Sequence, residues 1–78
     1  MTPAENVELI AEARSAIQTG RGRTIREAAS ISQTEIAEAV GVSHSAVSLW
    51  EAGKRLPRRD TAVQYALVLR RLDCDRKA

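Results

Sequence analysis

Three features of this 78-residue sequence predict an all-α fold of five helices. The apolar content, 44%, is nearly all Ala, Ile, Leu and Val, with no Phe, and Gly and Pro are few. Small and straight-chain residues with few breakers favour helices over strands. Helix-start signatures recur along the chain, at Thr2-Pro3, Thr24, Ser32 and Ser43. Between them the apolar residues return at the three- and four-residue spacing that lines one face of a helix.

The first helix is expected from Pro3 to about Thr19. Thr2 is a side-chain cap, Pro3 has the fixed φ suited to the first helical position, and Glu5 follows three residues after the cap. Val7, Ile10, Ala13 or Arg14, and Ile17 form its inner side, leaving Glu5, Glu8 and Glu12 to solvent. Gly20-Arg21-Gly22 ends it. Thr24 and Glu27 then form a capping box, which starts a short second helix running to about Ser30. Its apolar contacts come from Ile25, Ala28 or Ala29, and Ile31.

A second capping box, Ser32 with Glu35, starts the third helix near Gln33, with Ile36, Ala37 and Val40 inward. Gly41 stops it, because a residue without Cβ can take the left-handed conformation favoured at helix ends. Ser43 caps the fourth helix, His44 to about Ala52, with Val47 and Trp50 inward and Gly53 closing it. Two short helices joined by a Gly-containing turn of three or four residues outline a helix-turn-helix. With Val47 pointing in, Ser45, Leu49 and Ala52 point most directly out, Ser48 lies beside them, and His44 sits on the flank at the N-terminal end.

After Gly53 come Lys54, Arg55, Arg58 and Arg59 around one apolar anchor, Leu56. Pro57 ends this loop, and Asp60 suits the positive end of the last helix, which runs to about Leu72. Ala62, Tyr65, Ala66 and Leu69 form its inner face. Val63, Leu67, Val68 and Leu72 remain as surplus apolar residues, to be covered by the N-terminal helix, by a second protomer, or by both. The organisation expected is an N-terminal helix and basic loop at residues 1–22, a helix-turn-helix domain at 23–72 and a charged tail at 73–78.

The net charge of +2 says little, but its distribution says more. Residues 53–59 carry +4 and residues 20–30 carry +2, whereas the helix-turn-helix between them carries −3. A charge run alone is usually a solvated face; directly after a helix-turn-helix it stands where phosphate contacts are needed.

Residues 25–69 resemble the helix-turn-helix domain of Cro and the lambda-type phage repressors, a large family of bacterial and phage transcriptional regulators. Gln33, Glu35, Ala37, Gly41, Val42, Ser43, Val47, Glu51, Gly53, Lys54 and Pro57 all fall where that family's pattern expects them. The resemblance implies a lambda-repressor-like fold to which the N-terminal helix is an addition, with double-stranded DNA as partner and a homodimer on a palindromic site. It implies base reading by His44, Ser45 and Leu49, with Ser48 alongside. Phosphate contacts are expected from Gln33, Ser43, Lys54, Arg55, Arg58, Arg59 and Arg23, and Gln33 also buttresses the first reader. In the family an Arg seven residues before the motif's Gln pairs with the Glu at the end of the reading helix. Those positions are Arg26 and Glu51 here, with a phosphate contact as the competing role for Arg26.

The chain has room for one modest core. With one His, one Cys, no metal-ligand cluster and no glycine-rich phosphate loop, it lacks the parts of a catalytic site, so no enzyme activity, cofactor or metal is expected. A lone Cys74 fits a reducing compartment, and the longest apolar run, residues 65–69, is far short of a membrane span. No export signal opens the chain, so a cytoplasmic location, in a bacterial cell or phage-infected host, is expected. The function expected is a sequence-specific DNA-binding regulator, a small Cro-like repressor. The alternative is an antitoxin or other interaction module that grips a protein partner through the N-terminal or last helix.

Overall fold

The structure, a computed structural model, describes residues 2–77 and contains five helices with no strand among them. They are α1 (Pro3–Thr19), α2 (Arg21–Ala28), α3 (Gln33–Val40), α4 (His44–Glu51) and α5 (Arg59–Lys77).

Helix α1 starts as its sequence requires, with the Thr2 hydroxyl accepting the Glu5 amide at 3.2 Å. Its buried residues are Leu9, Ile10, Ala13, Ala16 and Ile17. Val7 is 59% exposed, contrary to the inner side expected for it. The buried stripe is rotated towards Leu9 and Ala16 because α1 packs against both α5 and α2, and two neighbours demand a wider apolar face than one.

A capping box at Thr24 does not start the second helix. Gly20, left-handed at φ 79°, ends α1 and is at the same time the residue before α2. Helix α2 thus begins at Arg21, where a basic loop was expected. Thr24 lies inside it and bonds its hydroxyl back to the Gly20 carbonyl at 3.1 Å. The early start has a packing reason. Gly22 is buried against Tyr65 of α5, and a Cβ there would overlap the Tyr65 hydroxyl and meet the ring carbon bearing it at 3.2 Å. The glycine expected to break the chain is the contact that lets α2 lie on α5.

Helices α3 and α4 form the motif. The Ser32–Glu35 capping box is complete in both directions, the Ser32 amide donating to the Glu35 carboxylate at 2.9 Å and the Glu35 amide to the Ser32 hydroxyl at 3.0 Å. Gly41 turns the chain at φ 88°, its amide bonded to the Ala37 carbonyl at 2.8 Å. Ser43 caps α4 through the Ala46 amide. Ile36, Ala37, Val40, Val47 and Trp50 are buried, and the Trp50 ring is tilted 57° against Tyr65 with centroids 5.3 Å apart. A tilted aromatic pair adds roughly 0.5–1.5 kcal/mol beyond its buried area. This contact fixes the last turn of α4 onto α5.

In the loop before α5, Pro57 is buried whereas Leu56 is 45% exposed, so the proline and not the leucine anchors it. Helix α5 buries Ala62, Tyr65, Ala66 and Leu69 and continues to Lys77, beyond the end expected near Leu72. Asp73 is held there by Arg21 at 3.1 Å, which carries the helix into the stretch read as a tail; Ala78, the tail's last residue, lies outside the described residues. Another bridge, from Glu12 of α1 to Arg70 of α5 at 2.6 Å, joins those two helices. Of the surplus apolar residues on α5, Val63 faces a hollow shared with Ile10 of α1, while Leu67, Val68 and Leu72 line an open groove beside Ala39 of α3.

Candidate DNA interface

The outer side of α4 is free. His44 and Ser45 are exposed in its first turn, Ser48 and Leu49 are half-buried further along, and Val47 and Trp50 are inside. Ser43 is exposed and its hydroxyl oxygen is engaged by the Ala46 amide at 3.2 Å. Four small or medium side chains thus stand outward from a helix whose inward residues lock it to the core.

The basic loop returns onto this helix. Gly53 takes φ 72°, and the Lys54 amide bonds the Leu49 carbonyl at 3.0 Å, which seats Lys54 at the C-terminal end of α4. Arg55 and Arg58 line a hollow with Val42, Ala46 and Trp50, on the flank of α4 next to Ser45. Arg59 takes another direction. It lines hollows with Ile10, Ala11 and Arg14 of α1, so two adjacent arginines border different hollows at the start of α5.

Beneath α4 lies a polar anchor. Arg26 makes a two-point contact with Glu51, Nε to Oε2 at 2.6 Å and Nη2 to Oε1 at 2.9 Å, and its Nη1 donates to the Ile31 carbonyl at 2.8 Å. Gln33 donates its amide to the same carboxylate at 2.9 Å, so this side chain is tied inward in the free protein. Burial pushes the Glu51 carboxyl up, yet the hydrogen bonds from Arg26 and Gln33 and the adjacent positive charge outweigh it and hold Glu51 below the usual carboxylate range. The Arg26 guanidinium is in turn raised, chiefly by its hydrogen bond to Glu51. Arg23 is exposed and bonded to Glu27 at 3.3 Å, one turn along α2, and its charge also reaches Glu51.

The cations therefore divide into two groups. Arg21, Arg23, Arg26 and Arg70 have carboxylate partners. Among the described residues Lys54, Arg55, Arg58, Arg59, Arg14 and Arg71 form no ion pair, and apart from Arg14 and Arg71 all lie in the stretch from the end of α4 to the start of α5. Arg14 entered the sequence reading solely as an alternative inward residue of α1. Its neighbour Ala13 is fully buried, and the helical step between them turns Arg14 outwards to Arg59. Nothing in the one-dimensional pattern distinguishes that arrangement from an ordinary solvated arginine.

Among the described residues no group of His, Cys, Asp and Glu could hold a metal ion, and no helix is long and apolar enough to cross a membrane. Five helices with a turn at Gly41, an outward α4 and unpaired cations around it define a helix-turn-helix protein of the DNA-binding class. A helix-turn-helix family model of the Cro/C1 type matches residues 23–75. The chain belongs to this Cro/lambda-repressor-type family of DNA-binding transcription regulators. No curated protein and no solved structure gives a significant match to the chain.

Proposed function

We propose that this protein is a sequence-specific repressor of the Cro-like kind, acting in the cytoplasm of a bacterial cell or phage-infected host and reading a palindromic operator through the major groove. In this reading residues 23–72 form the DNA-binding unit, α4 enters the groove, and His44, Ser45, Ser48 and Leu49 meet base edges. Lys54, Arg55 and Arg58 grip the phosphates on either side, with Ser43, Gln33, Arg59 and Arg23 at the margins. The observation that carries the reading is the exposed first turn of α4 flanked by cations that lack internal partners. Occupation of an operator by such a unit blocks other proteins from the same DNA, which is repression in its simplest form.

The reading surface is chemically thin. It has no Arg, Lys, Asn or Gln fork of the kind that contributes ~1–3 kcal/mol of discrimination per base. Ser donates and accepts indiscriminately, and Leu49 can touch a thymine methyl but little else. Useful specificity then requires two copies on half-sites ~34 Å apart, with added readout of DNA shape. The open groove formed by Leu67, Val68 and Leu72 beside Ala39 is the face we assign to the second copy.

Selection of bound sequences from a random duplex pool tests this directly. A recovered palindrome supports both the reading helix and the dimer. Recovery of no preferred sequence, from a folded protein that binds duplex DNA, would refute sequence-specific regulation.

A further inference from the structure

We propose that the DNA contact extends off the helix-turn-helix onto α1, through a phosphate-binding notch formed by Arg14 and Arg59. This rests on the reading of α4 given above. Arg14 of α1 and Arg59 of α5 line one hollow, whose remaining walls are Val7, Ile10 and Ala11, with no carboxylate among them. Two guanidiniums that line one hollow with no carboxylate in its walls repel one another, and an arriving anion lowers that repulsion.

Continuity identifies the anion. Arg55 and Arg58 line the hollow on the flank of α4, Arg59 follows Arg58 in the chain, and Arg14 shares the hollow of Arg59. A cationic path thus leaves the reading helix, crosses the start of α5 and ends on α1. A duplex backbone is the ligand that runs past such a path, and it alternates phosphates with apolar sugars. Val7, 59% exposed, and Ala11 offer the sugars an apolar wall beside the two arginines. The hollow on the other side of Arg59 includes Asp60, so the phosphate belongs on the Arg14 side.

The test is the salt dependence of affinity for a mixed-sequence duplex of several helical turns, measured for the full chain and its R14A, R14K and R70A variants. Arg70 is an exposed cation bonded to Glu12, lines neither the notch nor the groove assigned to the second copy, and serves as the control. Because Arg14 is exposed and makes no ion pair, its replacement leaves the fold intact, which circular dichroism verifies. R14A is expected to flatten the slope of log K against log salt by ~0.9, the loss of one phosphate contact. R14K should keep the wild-type slope, and R70A should match the wild type. An unchanged slope in R14A, or an equal loss in R70A, overturns the notch while leaving the α4 reading intact. An altered oligomeric state in R14A with the slope preserved assigns the hollow to a protein contact and likewise overturns it. A wild-type chain that binds no duplex overturns both readings.

Discussion

The guanidinium of Arg26 on α2 grips the carboxylate of Glu51, the last residue of α4, at two points, with side chains only 10% and 5% exposed. This joins the first helix of the matched region to the end of the helix assigned to base reading, and its surroundings raise the cost of breaking it. Removing either partner leaves a buried charge uncompensated. Arg26→Ala or Glu51→Ala is expected to lower unfolding free energy by ~3–5 kcal/mol in urea titrations. Replacing both by apolar residues should recover part of this but not all, because the Ile31 carbonyl and the Gln33 amide would still lose their partners.

The same pair sets an acid dependence. The folded Glu51 carboxyl is held below its ordinary value of 4.5, so the stability it contributes is complete above that value and is lost as pH falls through the lower, folded-state value. Thermal melts between neutral and strongly acid pH should show the wild type losing stability below about pH 4.5. Glu51→Gln should be less stable at neutral pH and should have a flatter acid limb. Parallel limbs in the two proteins would assign the acid loss to other carboxylates.

Gly22→Ala separates helix propensity from packing. In a free helix interior Ala is favoured over Gly by ~1 kcal/mol. Here the added methyl meets the Tyr65 hydroxyl, and we expect a net loss of ~1–3 kcal/mol from overpacking. The loss should shrink in a Tyr65→Phe background, where the hydroxyl is gone, and a double-mutant cycle measures the difference.

Phosphate and base contacts should respond differently to substitution. Lys54→Ala and Arg55→Ala are expected to weaken binding alike on operator and random duplexes and to flatten the salt slope by ~0.9 each. Ser45→Ala and Leu49→Ala should change the recovered sequence more than the salt slope. Binding selections and salt titrations on the same four variants check both halves of this division.

Most of the fold was legible because local signals and tertiary packing agree. Ser32 and Glu35, Gly41, and Ser43 each specify a helix end through backbone groups within a few residues, and Ile36, Ala37, Val40, Val47 and Trp50 follow a period that any inward face must obey. The start of α2 was not legible. Thr24 and Glu27 fit a capping box as well as Ser32 and Glu35 do, and only contact with Tyr65, a residue distant in sequence, draws Gly22 into the helix. Val7 was misassigned and the buried Leu9 left out for a related reason, since one helical stripe cannot reveal that two other helices pack against it. At the interface, the position of His44 and Ser45 on the outer turn follows from helix geometry. The divergence of Arg58 and Arg59, by contrast, depends on where α1 lies against α5.

Gly20 alone separates α1 from α2, being the cap of one and the residue before the other. There is no slack at that joint. A tag or tether attached ahead of Pro3 is therefore carried on a helix with no linker between it and the helix that holds Arg26.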